Sequence, residues 1–255
     1  MSDTNHEILK TQQNEIEKFL LDPRVQRVAG FLSRGDGDRR TLFERIMYSY
    51  DNASAPRSDR LLFYPLHMVF EHFIRTRGAN ADMVKFKLFH HRPTLRALVN
   101  TFRSIHAYGL TVPQKFQMPL MIVWNFTQAC NLKCVHCYQD ACSRPLPDEL
   151  DLEQKLKVVD EMGRAYVPFL ALAGGEPLMG RYFWEVLERC RQWGIHVTIA
   201  SNGTMLTPDV TARLVQHGVK YVEVSLDSVD PDKHDAFRGI PGAWRRAVNG
   251  IENGA

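Results

Sequence analysis

NFTQACNLKCVHCYQ, residues 125–139, gathers three of the chain's five cysteines, Cys130, Cys134 and Cys137, within eight positions. An odd cysteine count in a chain without a secretory signal argues against a disulfide framework. Thiolates at C-x3-C-x2-C on one loop can instead converge on a single inorganic centre. Three of them fill three corners of a [4Fe–4S] cluster and leave one iron open, as a catalytic centre requires and a closed structural one does not. Spacing alone leaves two other readings open. Zinc could take His136 or Cys142 as a fourth ligand, and a ferredoxin-like centre could recruit Cys142, although C-x3-C-x2-C-x4-C is not the bacterial ferredoxin spacing.

Working outward, Leu120 to Trp124 leads into this loop, and Phe169 to Ala173, Val197 to Ala200 and Tyr221 to Leu226 are similar short apolar runs. Their pattern predicts strands buried on both faces of a parallel sheet. Helices alternate with them. Asp151 and Gln154 form a capping box ahead of Leu152, Leu156, Val159 and Met162. Phe183, Val186, Leu187, Cys190 and Trp193 make a buried stripe closed by Gly194, on which Cys190 reads as a small hydrophobe. Thr207 and Pro208 start a third helix that Gly218 ends, and Trp244, Ala247, Val248 and Ile251 belong to a fourth. Serial β/α units point to an α/β fold, a partial (β/α) barrel with its chemistry at the C-terminal strand ends. Four units do not close a barrel. The expectation is therefore a chain truncated in the fourth unit, or one whose sheet edge a second polypeptide completes.

The strand ends carry short polar motifs. Gly174-Gly175-Glu176-Pro177 follows the second strand, where glycines permit close backbone approach and Glu176 supplies an anion for an ammonium group. Ser201-Asn202-Gly203 follows the third, and Ser225-Leu226-Asp227-Ser228 the fourth.

Residues 1–117 read differently. Ile8, Leu9, Ile16, Phe19 and Leu20 recur at helical spacing, as do Leu42, Phe43, Ile46, Met47 and Tyr50. The apolar stretch Leu61 to Ile74, with Pro65 inside, predicts a buried, kinked helix, and Pro93 to Tyr108 another. Loop signals stand at 33–38, 52–58 and 77–80. The expected organisation is a helical N-terminal domain over 1–117, joined by YGLTVPQKF to the α/β domain over 118–255.

Composition sets the outer limits. With 44% hydrophobic and 24% charged residues in 255, disordered and fibrous classes are excluded. Lys and Arg outnumber Asp and Glu by 18 to 12 up to residue 117, and fall behind by 14 to 17 after it. These charges are scattered, without the basic run of a nucleic-acid arm. No apolar run reaches membrane-spanning length, and the N-terminus has no signal-peptide h-region. The expected location is cytoplasmic, with no membrane and no nucleic-acid partner.

The ordered set of C-x3-C-x2-C followed by Tyr138, then GGEP, SNG, SLDS and HDAFRG (234–239) resembles the radical S-adenosylmethionine (SAM) superfamily. It is most similar there to the SPASM-like maturases of peptides, cofactors and modified haems, over residues 119 to about 254. The resemblance implies that Cys130, Cys134 and Cys137 bind a [4Fe–4S] cluster whose open iron takes the amine and carboxylate of SAM. It assigns the amine to Glu176 with the backbone of Gly174 and Gly175, and the adenine to the backbone of Tyr138. His136 fills the aromatic position inside the motif. Ser225 meets the ribose or carboxylate, Ser201 and Asn202 line the same face, and Arg246 pairs with the SAM carboxylate. Arg238 is read as a tether for the loop after the fourth strand. The activity implied is one-electron cleavage of SAM to a 5′-deoxyadenosyl radical, which takes hydrogen from a peptide or cofactor-precursor substrate. An electron donor such as flavodoxin or ferredoxin is implied with it. Because family members have six strands, the alternatives are a non-catalytic iron–sulfur-binding fragment or partner subunit, and a zinc-binding structural module.

Overall fold

The computed structural model describes residues 22–35, 40–50, 54–76 and 91–255. The helix expected over residues 8–20 and the loop signal at 77–80 lie outside them. The chain divides into two compact units, Met1–Leu120 with Arg164–Val167, and Met121–Gly163 with Pro168–Ala255.

The described part of the first unit is helical: α1 (Pro23–Leu32), α2 (Leu42–Ser49), α3 (Arg57–Thr76) and α4 (Arg92–Tyr108). Helix α1 was not legible in the apolar spacing, yet it has start signals, an Asp22 cap and Pro23 in the first turn. A capping box of Thr41 and Glu44 starts α2. Phe43, Leu95, Val99 and Tyr166 form a buried cluster, and the Tyr166 hydroxyl donates to Glu44 at 2.7 Å. Desolvation holds the Tyr166 hydroxyl well above its usual range, and lowers the buried Arg96 guanidinium to about 10. One expectation needs correction here. Helix α3 runs through Pro65, but Leu61, Leu62, Tyr64, Leu66 and Met68 are exposed among the described residues and Phe63 alone of these apolar positions is buried. An unbroken apolar run carries no period that says which side turns inward.

The second unit alternates strand and helix: β1 (Met121–Thr127), α5 (Leu152–Arg164), β2 (Phe169–Gly174), a 3-10 turn (Pro177–Met179), α6 (Phe183–Trp193), β3 (His196–Ser201), α7 (Pro208–Gln216), β4 (Tyr221–Val224), α8 (Pro231–Arg238) and α9 (Ala243–Gly254). The four strands form one parallel sheet in the order β1-β2-β3-β4. This is the α/β architecture that the run of β/α units predicts. The capping signals also act as read: Asp151 and Gln154 bond reciprocally at 2.8 and 3.0 Å, Thr207 caps α7, and Gly194 and Gly218 adopt the left-handed conformation.

The inner strands, in which buried and half-buried positions alternate, come nearest to the two-faced burial that the sequence pattern predicts. Leu170, Leu172, Val197 and Ile199 sit in the core with Val186, Leu187 and Cys190 of α6. Along β1 and β4 exposed and half-buried positions alternate, because successive side chains point to opposite faces of the sheet. Helix α8 carries little apolar periodicity. Its signal is Asp230, which caps the backbone of Asp232, followed by Pro231 in the first turn. No helix of the described residues is long and apolar enough to cross a membrane.

Candidate cofactor site

The site grows from the C-terminal end of β1. After a register shift between Asn125 and Thr127, the chain continues alongside the end of β2. Gly175 N–H donates to the Thr127 carbonyl and Glu176 N–H to the Ala129 carbonyl, both at 2.7 Å. A Cβ on Gly174, whose φ is +109°, would lie 2.6 Å from the Thr127 oxygen, and one on Gly175 would lie 2.3 Å from the Ala129 oxygen. The two glycines thus admit the protein's own backbone, where the sequence suggested room for a ligand. Glu149 pins the root of the same loop, accepting from Thr127 Oγ1 and Gln128 N–H at 2.8 Å each. No spacing rule pointed to Glu149.

The three cysteines that follow are each half-buried, and each sulfur accepts an N–H. Cys130 Sγ takes Leu132 N–H at 3.5 Å and Asn202 Nδ2 at 3.8 Å. Cys134 Sγ takes Arg238 Nη1 at 3.7 Å, and Cys137 Sγ takes Ala141 N–H at 3.5 Å. Burial pushes the Cys130 thiol up, and the nearby Glu176 carboxylate adds to that. Among the described residues no three His, Cys, Asp or Glu side chains form a group that could hold a metal ion. Each of the three thiols has an N–H donor, as cluster sulfurs commonly do, and in this respect the residues fit an iron–sulfur cluster.

Cys142 is exposed and lies on backbone paired with the start of this loop. It bridges Ala129 in parallel fashion, with Cys130 N–H donating to its carbonyl at 2.7 Å. Side chains alternate along such paired backbone, so Cys142 shares a face with Ala129 and Cys130 points to the other. Its own thiol donates to the Arg144 carbonyl at 2.9 Å. His136 lies stacked on Phe237, ring centroids 3.9 Å apart and planes at 15°.

Strand β3 brings in the SNG residues. Ser201 Oγ donates to both oxygens of Glu176 at 3.0 and 3.1 Å, and Asn202 N–H donates to Oε2 at 2.8 Å. Asn202 Nδ2 also reaches Asn131 Oδ1 at 2.8 Å, so the end of β3 is tied to both the GGEP turn and the cysteine loop. Glu176 is fully buried, and desolvation raises its carboxyl. With Leu178 N–H also donating at 3.3 Å, its oxygens are satisfied from within the protein. Ser225 joins through its backbone, donating N–H to the Ser201 carbonyl at 3.0 Å.

Two expected residues stand apart in their contacts. Tyr138 is 84% exposed. Arg246 is exposed on α9 and reaches the carbonyl of Pro241 at 3.5 Å, at the start of its own helix. Arg238, read as a tether, ends α8 and bonds Asp227 in the segment after β4 as well as Cys134.

A cysteine-bearing loop at the mouth of a parallel β/α sheet, braced by the ends of β2 and β3, defines an α/β protein whose candidate site lies at the C-terminal strand ends. Residues 124–253 match the radical SAM superfamily, and the chain belongs to it. That family uses a [4Fe–4S] cluster and SAM. An AdoMet-dependent heme synthase of Methanosarcina barkeri is 39% identical over 134 residues, covering 52% of this chain and 38% of the relative. A mycofactocin maturase, MftC, of Mycolicibacterium smegmatis is 36% identical over 135 residues, covering 53% and 34%. The chain thus spans little more than a third of the length of these relatives. Among solved structures, Streptococcus suis SuiB bound to S-adenosylmethionine aligns with a TM-score of 0.49 at 16% identity, over 85% of this chain and 48% of that one.

Proposed function

We propose that this chain carries the cluster- and SAM-binding part of a radical SAM maturase whose substrate is a peptide or cofactor precursor. The observation that carries the reading is the arrangement of Cys130, Cys134 and Cys137, three thiols with N–H donors on one loop, while the Cys142 thiol donates to the Arg144 carbonyl. Three protein ligands without a fourth leave one iron corner for a small molecule. When bound, cluster and SAM together supply a one-electron reductive cleavage that yields a 5′-deoxyadenosyl radical able to abstract hydrogen.

The chain's own residues bind and orient. Cys130, Cys134 and Cys137 are the proposed cluster ligands. The SAM amine is assigned to the backbone of Gly174, Gly175 and Glu176, with the Glu176 carboxylate bracing that turn against Ser201 and Asn202. The Tyr138 backbone is assigned to the adenine, Ser225 to the ribose or carboxylate, and Arg246 to the SAM carboxylate. The substrate class rests on the relatives, named as a heme synthase and a mycofactocin maturase, and on SuiB, described as bound to precursor peptide SuiA. A flavodoxin or ferredoxin would deliver the electron.

A second reading, an iron–sulfur-binding fragment or partner subunit without catalysis, is favoured by the outer edge of β4. There an apolar trough of about 670 Å³ runs past Val222, Val224, Leu214 and Ile251, where a further strand from a second polypeptide or from more of the same protein would fit. One experiment separates the readings. Protein reconstituted with iron and sulfide without oxygen is reduced in the presence of SAM, and 5′-deoxyadenosine is measured. Release of this product supports the enzyme; an intact cluster without product supports the fragment. Zinc in place of iron overturns both.

A further inference from the structure

The segment Phe237–Gly239, at the end of α8, grips the middle of the cysteine loop. Lys133 N–H donates to the Arg238 carbonyl at 3.1 Å, and Val135 N–H to that of Phe237 at 3.0 Å. These bonds fall on either side of Cys134, and the Arg238 side chain reaches the cysteine between them. Gly239 has φ +72°, and a Cβ there would lie 2.1 Å from the Lys133 oxygen. Only glycine allows that approach. Phe237 closes the grip by stacking on His136.

Arg238 has its side chain only 11% exposed, and it serves two acceptors from different edges of its guanidinium. Nε donates to Asp227 Oδ2 at 2.5 Å, and Nη1 to Cys134 Sγ at 3.7 Å. A planar fork suits this double duty, whereas a lysine ammonium acts as a single point. Asp227 is itself fixed, its N–H donating to Nδ1 of the buried His234 at 3.3 Å. Burial holds that imidazole below its usual range. A charge so placed costs desolvation, and the anion it faces besides Asp227 is the thiolate that a bound metal would require of Cys134.

We propose that Arg238, clamped by Asp227, is a positioning residue for the cluster: it orients the Cys134 thiolate and, through its N–H and positive charge, stabilises the reduced state and raises the reduction potential. Hydrogen bonds to cluster sulfurs and local net charge are established determinants of such potentials. The inference rests on the iron–sulfur reading above.

The test is a dye-mediated redox titration of the anaerobically reconstituted full chain, with iron content measured alongside. At one fixed poise, Arg238→Gln is expected to show at least a tenfold lower reduced-to-oxidised ratio than wild type, about 59 mV for one electron. Arg238→Lys, which keeps the charge and loses the fork, should fall between the two. A wild-type ratio in either loaded variant overturns the proposal, and if only Arg238→Lys takes up iron it decides by that criterion. Failure of both variants to take up iron would leave Arg238 a purely structural role and overturn it too. If wild type itself forms no iron–sulfur chromophore, it is the underlying cluster reading that has failed, and the two failures are thereby told apart.

Discussion

The hydroxyl of Ser201, the last residue of β3, donates to both carboxylate oxygens of Glu176, just past the end of β2, at 3.0 and 3.1 Å. Asn202 adds its backbone N–H to the same carboxylate and its side chain to Cys130 and Asn131. The SNG and GGEP motifs, 25 residues apart, are thus one hydrogen-bonded unit that supports the cysteine loop.

Truncating this unit leaves buried donors without partners. Glu176→Ala is expected to lower unfolding free energy by about 2–3 kcal/mol, and Glu176→Gln by less, since the amide oxygen still accepts. Urea denaturation followed by circular dichroism measures both. An alanine variant as stable as wild type would contradict the bracing role.

The same carboxylate has a pH signature. Its folded pKa is raised by burial, so its contribution is fullest below the unfolded value, about 4.3, and is lost as pH rises through the folded value. Relative to Glu176→Gln, wild type should therefore lose stability as pH increases from about 4. A pH-independent difference between the two would count against it.

Asp235 titrates with the opposite sign. It accepts from Trp244 N–H at 2.7 Å and from Gly242 N–H, at the start of α9, and these bonds hold its carboxyl below the usual range. Its contribution is present above about pH 4 and disappears as pH falls through the lowered value. Melting temperatures of wild type and Asp235→Ala should differ at pH 7 and converge in acid.

Gly175→Ala places a methyl group 2.3 Å from the Ala129 carbonyl. The backbone must separate, at a cost of roughly 1–3 kcal/mol. Because Ala129 precedes Cys130, iron uptake should fall along with stability. Iron analysis after reconstitution checks this, and unchanged uptake in a destabilised variant would disconnect the glycines from the loop.

Cys142→Ser should take up iron as wild type does, since its thiol donates to the Arg144 carbonyl. Cys137→Ser should lose most of its iron. Equal losses in the two would make Cys142 a ligand and reopen the ferredoxin-like reading.

Much of this was readable along the chain. Cys130, Cys134 and Cys137 announce themselves by spacing, the inner strands by uninterrupted apolar runs, and α5 and α7 by their caps, because each signal spans at most a few turns of chain. Arg238 and Glu149 were not readable as partners of the cysteine loop. Their contacts with Cys134 and Thr127 cross 104 and 22 residues, and no local period encodes a contact at such separation. Helix α3 shows the converse failure, since apolar content alone does not say which face is covered.

By itself the sequence determined the alternation of strand and helix, the cysteine spacing and the order of the motifs, since these depend on side-chain chemistry and short-range backbone preference. Tertiary structure alone decided that Gly174 and Gly175 make room for the protein's own backbone, and that Glu176 faces Ser201. It also decided that Cys142 points away from Cys130. Burial and hydrogen-bond satisfaction belong to neighbours that folding brings together, and a carboxylate or thiol acquires its role only when those neighbours are in place.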